Sequence, residues 1–589
     1  MSDGGSSGPV HVLGLAAAPG RSLGIVRRVS WDVPSPPHRT IRPEEIAGEI
    51  ERFETARLEA IEGIRGLREQ TARNLGELEA KIFDPQILML EDPELVEGTR
   101  RYIRENFLAA DRAFDWRMTE LRTAMLDAAH LMMLDRQADL MDVRARVLSH
   151  LDDHGADTLR LPSEEAILLF DDLTPSVAVR LDPARVLGLV IGAGSRTAHS
   201  AILARSMGVP AVVGVGAGLS RIPDGATVLM DGDTGRIVVD PSEPEIRSFH
   251  DVEERLTEWR TQFWERPPGP VSTADGRDVH LRANLDQPHD VHAAQRVGAE
   301  GVGLFRTEFL VIGQRVIPSE REQYEAYRQV LDGVPGQPVT LRTFDIGGDK
   351  FPLFLDMPPE ENPYLGWRAI RVCLDLPDLF RNQLRAVLRA QGDSNRMRIL
   401  LPFVISLEEV LATRELLAEV AADLGRGRED VPLGIMIETP AAVETLDLLS
   451  PHVDFASLGT NDLAQYSLAV DRGNARLAHL ADPLHPALVR MYHRIRKTAS
   501  GTGLELGVCG DLASDPIGLA LLVGLGYRDF SLAPTSIPEI RELLGTLSAA
   551  ELAELCDDLD DPERVSTLKR RLAEYLRDTV PFETSRLGR

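Results

Sequence analysis

A chain of 589 residues is longer than one ordinary domain needs and predicts three or four. Apolar residues make up 43%, enough for sizeable cores, and aromatics only 5%, so those cores must be mainly aliphatic; the net charge of −27 argues against nucleic acid as a partner and suits a basic protein partner or plain solubility. Three cysteines with no C-x-x-C pair predict neither a disulfide framework nor a zinc site, and MSDGGSSGPV lacks the parts of a signal peptide. No apolar run approaches the ~20 residues of a membrane span, so the expectation is a cytoplasmic protein without membrane insertion.

In chain order, residues 10–30 read as two short strands around an Ala-Pro-Gly turn. From Pro43 the character changes: Ile46, Ile50, Phe53, Ile61, Ile64 and Leu67 recur at helical spacing, and helical patterns run to about Leu151 with breaks at Asp84-Pro85 and Asp92-Pro93. This block is a scaffold or a docking surface, and periodicity alone does not separate the two. Residues 160–240 alternate strands and helices, with strands at Ala166–Phe170, Val186–Ile191, Ala211–Gly214 and Thr227–Met230. The strands at 10–30 are expected to join them, making the helical block an insertion in a small α/β domain. A charged helix over 241–266, ended by Pro267-Pro268-Gly269-Pro270, reads as a linker. Beyond it, strand-like runs at 279–285, 301–305, 339–344, 398–404, 433–437, 455–459, 505–509 and 529–533 alternate with helical stretches. Eight βα repeats fit a (β/α)8 barrel, although periodicity does not distinguish closure from an open doubly wound sheet.

A barrel demands active residues where strands end. Arg306 follows the second strand; Arg342 lies late in the third, with Asp345, Gly347, Gly348, Asp349 and Lys350 just after it; Glu438, Asn461 and Asp462 follow the fifth and sixth; Cys509 closes the seventh. Arginines around one pocket suit a small, highly charged anion. Two carboxylates in the same place would repel that anion unless a cation such as Mg²⁺ lay between. Cys509 reads as a buried small hydrophobe or as a proton donor. A second site is GAGSRTAHSAILARSMGVPAVVG, residues 192–214, where a strand enters a glycine-rich loop and a helix is expected from near Thr197 to Met207. His199 would lie in its first turn beside Arg196, where free N–H groups and the helix dipole favour an anion.

These segments, with GLAAAPG, DPQILMLEDPEL, DDLTPS, GVGLFRTEFL, RTFDIGGDK, ENPYLGWRAIR, IMIETPAA, GTNDLAQYSLAVDRGN, GVCGD and FSLAPTSIPEIR, resemble Enzyme I of the bacterial sugar phosphotransferase system over nearly the whole chain. The resemblance implies an α/β phosphohistidine domain at 1–35 and 152–245 and a helical partner-docking subdomain at 36–151. A linker at 246–270 and a phosphoenolpyruvate-binding and dimerising (β/α)8 barrel at 271–589 complete the arrangement. It implies phosphorylation of His199, phosphoenolpyruvate binding by Arg306, Arg342, Arg368, Asn461, Asp462 and Arg472, Mg²⁺ held by Glu438 and Asp462, and protonation of the enolate by Cys509. The implied partner is the histidine-containing phosphocarrier protein HPr, and the implied assembly a homodimer. Two positions depart from the family pattern: T-S-H-T is Thr197-Ala198-His199-Ser200 here, and C-G-E carries Asp511. A pyruvate phosphate dikinase would need a nucleotide-binding domain that the residues before the histidine segment do not suggest. A regulatory or nitrogen-branch paralogue with the same chemistry is the alternative reading.

Overall fold

The computed structural model describes residues 9–18, 20–29, 36–37, 39–74, 80, 83–127, 137–152, 161–178, 180–193, 204, 207–232, 234–250, 269–312, 316–348, 352, 354–355, 360–426, 431–471, 477 and 480–580. The chain forms two compact units, residues 1–251 and 252–589.

The first unit is built on an eight-stranded sheet: β1 (Val10–Leu13), β2 (Leu15–Ala18), β3 (Arg21–Arg28), β4 (Ala166–Phe170), β5 (Val186–Ile191), β6 (Ala211–Val213), β7 (Thr227–Asp231) and β8 (Arg236–Val239), in the order β1-β8-β7-β3-β4-β5-β6-β2. The N-terminal segment thus supplies three strands rather than two, and β8 joins the four strands expected between 160 and 240. The central run β3-β4-β5-β6 is parallel and the flanking pairs are antiparallel. β4, Ala-Ile-Leu-Leu-Phe, is buried throughout because successive side chains enter opposite cores: Leu168 and Phe170 one, Ile167 and Leu169 the other.

The helical block leaves the sheet after β3 and returns at β4, yet these two strands pair directly, Val26 opposite Ile167. It is therefore an insertion, with its own core around Phe53, Ile64, Phe83, Leu90, Ile103 and Phe114. Its helices span Ile46–Asn74, Asp84–Glu91, Pro93–Asn106, Ala110–Asp127 and Gln137–Leu151. The expected break at Asp92-Pro93 is present. Asp92 accepts the Glu94 N–H at 2.7 Å, and Pro93 occupies the first turn, where its missing N–H costs nothing.

The second unit settles the question of closure. β9 (Val271–Ser272) forms a short hairpin on β10 (Asp278–Leu285). β10, β11 (Val302–Phe305), β12 (Val339–Arg342), β13 (Met397–Leu401), β14 (Leu433–Ile437), β15 (Phe455–Leu458), β16 (Glu505–Val508) and β17 (Asp529–Leu532) run parallel in sequence order, and β17 pairs back onto β10. The sheet is a closed (β/α)8 barrel, and the eight observed strands match the eight expected ones to within a few residues at each end. Alternate residues point out into the core under the helices, as Leu281, Ala283 and Leu285 do. Leu304, Leu400, Met436, Phe455 and Cys509 form a separate small apolar cluster. Among the described residues no helix is long and apolar enough to cross a membrane.

Candidate active site

The ends of the barrel strands carry one connected set of ionic side chains. Arg342, the last residue of β12, is buried; its Nη2 lies 2.9 Å from Glu308 Oε1 and its Nη1 3.5 Å from Asp345 Oδ2. The Asp345 N–H donates to the same Glu308 oxygen at 3.1 Å. Arg368, buried just before the helix Ile370–Asp375, donates to both oxygens of Asp345 (2.8 and 3.0 Å), to Asp462 Oδ2 (2.8 Å) and to the Tyr466 hydroxyl (2.6 Å). Tyr466 in turn donates to the Tyr364 carbonyl at 2.8 Å. Gly347, at φ +109°, lets the loop after β12 approach this closely: a Cβ there would meet the Trp367 carbonyl oxygen at 2.5 Å and Arg368 Cα at 2.8 Å.

Glu438 follows β14, is buried, and accepts the Phe403 N–H at 2.6 Å. Phe403 (φ +61°) and Ala369 (φ +54°), the residue after Arg368, both hold left-handed backbone, which costs a non-glycine residue about 1–3 kcal/mol and gathers at functional sites. Asn461 and Asp462 occupy the first turn of the helix Thr460–Leu468. The Asn461 amide and Asp511 bind reciprocally: Asn461 Nδ2 donates to Asp511 Oδ2 at 3.0 Å, and the Asp511 N–H to Asn461 Oδ1 at 3.1 Å. The shorter acid at 511 thus has a defined partner. Arg306, after β11, pairs with Asp286 after β10 at 2.6 Å and remains 37% exposed.

The charge distribution is uneven. Burial works against the charge on Arg342 and Arg368, but the carboxylates around them outweigh it and hold both guanidinium groups above their ordinary pKa. Burial, and then the neighbouring Asp462 and Asp345, push Glu438 up to about 8. Nε of Arg342 has no acceptor among the described residues. Carboxylates crowded in low dielectric, beside a guanidinium with an unspent Nε–H, suit a ligand that brings both a cation and an anion. Among the described residues no three His, Cys, Asp or Glu side chains converge as a ready metal cage. Mg²⁺ does not require one, since it is held by one or two carboxylates together with substrate oxygens and water.

Cys509 follows β16. Its N–H donates to the Leu458 carbonyl at 3.1 Å, its Sγ lies 3.6 Å from that oxygen, and burial pushes its thiol up to about 11 while a bond from Ser457 pulls the other way. It is a protonated thiol in a dry place, which suits a donor to carbon better than a nucleophile.

The barrel therefore brings Arg342, Arg368, Glu438 and Asp462 into one connected cluster, with Arg306, Asn461 and Cys509 at the ends of neighbouring strands. His199 and Arg472 lie outside the described residues, as do Asp349, Lys350, Arg196 and Thr197. Sequence reasoning missed Glu308, Tyr466, Asp286 and Asn284. The Arg306-Thr307-Glu308 spacing was the one available signal, because an acid two residues after an arginine at a strand end can serve the next strand's arginine.

Three family profiles match in chain order: PEP-utilising enzyme, N-terminal, over residues 13–136; PEP-utilising enzyme, mobile domain, over 162–235; and PEP-utilising enzyme, PEP-binding domain, over 264–549. A phosphoenolpyruvate-protein phosphotransferase of Priestia megaterium is 37% identical over 93% of this chain and 96% of its own length. One of Haloferax volcanii is 40% identical over 92% and 95%, and one of Haemophilus influenzae 34% over 96% and 99%. Domain order and identity over more than nine-tenths of the chain agree: the chain belongs to the phosphoenolpyruvate-protein phosphotransferase family, Enzyme I.

Proposed function

We propose that the protein takes the phosphoryl group of phosphoenolpyruvate onto His199 and passes it to a histidine of the phosphocarrier protein HPr, releasing pyruvate, as the first step of sugar uptake by the phosphotransferase system. The observation that carries this reading is the buried Arg342–Asp345–Arg368–Asp462 chain with Glu438 beside it, at the strand ends of a closed barrel. Arg306, Arg342 and Arg368 bind the carboxylate and phosphate of the substrate, and Asn461 and Arg472 steady the phosphate. Glu438 and Asp462 would hold Mg²⁺, which would neutralise substrate charge as a Lewis acid. The neutral imidazole of His199 attacks phosphorus in line, and the bond to the enol oxygen breaks. Catalysis here is mostly positioning and charge neutralisation. Arg342, with its unspent Nε–H, steadies the enolate until the Cys509 S–H gives its proton to the methylene carbon. The helical insertion with its separate core is the surface on which HPr docks, and the barrel unit pairs the protein as a homodimer. Incubation with labelled phosphoenolpyruvate and Mg²⁺, followed by mapping, is expected to place acid-labile label on His199 alone. Undiminished labelling of a folded His199→Ala variant would falsify the assignment.

A further inference from the structure

A small hydrogen-bond relay outside the ionic cluster ends on Cys509. Asn284 lies on β10, the strand that closes the barrel, and its Nδ2 donates to the Cys509 backbone carbonyl at 3.2 Å. Its Oδ1 accepts from the Ser531 hydroxyl on β17 at 2.6 Å. The strand order is β16-β17-β10, so the Asn284 side chain reaches past its neighbour to the next strand but one. The local ladder explains the need. β16 and β17 pair at a single position, Val508 opposite Phe530, and their ladder ends there. On its other side Cys509 keeps a regular ladder bond, N–H to Leu458. Its carbonyl lies past the β16–β17 register, and the Asn284 amide stands in as the donor.

The direction of the relay is fixed by chemistry. A backbone carbonyl can only accept, so the amide must turn its NH₂ to Cys509 and its oxygen to Ser531, whose hydroxyl then has to donate. Gly303 on β11 supplies the room: a Cβ there would run into Ser531 Oγ and Cβ. Glycine, serine and asparagine on three different strands therefore fix one peptide oxygen. Holding the peptide groups on both sides of Cys509 fixes the direction of its Cα–Cβ bond, from which the thiol can reach only the few staggered rotamers.

We infer that Asn284 is a positioning residue for Cys509, its amide oriented by Ser531, and that it aims the thiol proton at one face of the enolate carbon. The inference rests on the reading of Cys509 as the proton donor. In that step the S–H bond breaks, a C–H bond forms at the methylene carbon, the enolate oxygen becomes the ketone of pyruvate, and solvent later returns a proton to the thiolate. Donation from a held thiol delivers the proton to a single face. When the thiol is misaligned, enolpyruvate leaves and picks up its proton from water on either face.

The test is the methyl configuration of pyruvate made by the full-length protein from phosphoenolpyruvate stereospecifically labelled at C3, in isotopic water, with His199 phosphorylation followed in the same turnover. The wild-type protein is expected to give one configuration. Asn284→Ala should give a largely random methyl and slow protonation about 10- to 100-fold, the scale on which small misplacements act, while phosphorylation of His199 changes far less. Asn284→Asp at pH 8 keeps the shape and the acceptor for Ser531 but loses the donor, and should behave like Asn284→Ala. Ser531→Ala, which frees the amide to turn, should randomise part of the product and carries the test if the Asn284 variants do not fold. If Cys509→Ala randomises the methyl and the folded Asn284 and Ser531 variants do not, the positioning role is overturned and the proton-donor reading stands. If Cys509→Ala itself keeps one configuration, the proton-donor reading falls and this inference falls with it.

Discussion

The two ends of the barrel use the same residue types to opposite effect. At the N-terminal end of the strands, each cation meets one anion. Arg282 on β10 makes a two-point contact with Asp529 on β17 (3.1 and 2.9 Å), Arg398 on β13 reaches Glu505 on β16 at 2.7 Å while lying 3.8 Å from the Phe455 ring centroid, and His280 meets Glu300 at 2.6 Å. At the C-terminal end, Arg342 and Arg368 share Glu308, Asp345 and Asp462, with Glu438 beside them. Matched pairs brace a structure, whereas a surplus of buried carboxylates around shared arginines suits a site that takes up a cation. The site is held in that state by the fold around it, at a cost in stability.

That contrast breaks most sharply at the carboxylates. Glu438→Gln and Asp462→Asn should each reduce labelling of His199 by phosphoenolpyruvate at least about a hundredfold, the scale of a lost transition-state charge contact. Glu438→Gln should at the same time raise the unfolding free energy of the metal-free protein by about 1 kcal/mol, because it relieves the crowding. A folded variant with near-normal labelling, or a wild-type reaction that survives chelation of Mg²⁺, removes the metal assignment. Asp529→Ala at the other end should show the reverse. It leaves Arg282 half-buried without its partner and should cost about 3 kcal/mol in urea unfolding, with labelling per folded molecule unchanged. Replacing both members by apolar residues of similar size should recover most of that loss; if it does not, the pair is more than a brace.

A smaller effect concerns Cys509. With its thiol pushed up to about 11 against an ordinary 8.5, its alkylation at pH 8 should be roughly 200-fold slower than that of a free cysteine, and should climb about tenfold per pH unit without levelling off below about pH 11. The sign for stability follows: the folded state holds this proton more tightly, so its contribution is complete below about pH 8.5 and is lost as pH rises toward 11. A plateau near pH 9, read by mass spectrometry on the Cys509 peptide, would mean a wetter or more ionised thiol.

The sequence was most legible where strands are buried on both faces. The (β/α)8 strands read as short apolar runs between helical repeats, and all eight appear where they were expected. β8, Arg-Ile-Val-Val, was harder, because four residues after a turn carry little periodicity. The strand-end positions of the candidate site were legible because a barrel gathers such positions at one face. Their wiring was not. Glu308 serves Arg342, Tyr466 serves Arg368, and Asn284 serves Cys509 across separations of 34, 98 and 225 residues, and apart from the Arg306-Thr307-Glu308 spacing no local pattern encodes such partners. The histidine segment, read from the sequence as a helix start, lies outside the described residues.

The seam between β10 and β17 also has a consequence in time. Arg282 and Asp529 are 247 residues apart, so the first strand of the barrel leaves the ribosome long before the strand that closes it. At 5–20 residues per second that interval is roughly 12 to 50 seconds. Meanwhile β10 has an open edge that any extended chain could pair with. Its inward residues are His280, Arg282 and Asn284, and the β9 hairpin covers its first two positions. Charged and polar side chains along an unpaired edge discourage adoption by the wrong strand. The residues that brace the finished barrel thus also guard the nascent chain against aggregation while it waits for its last strand.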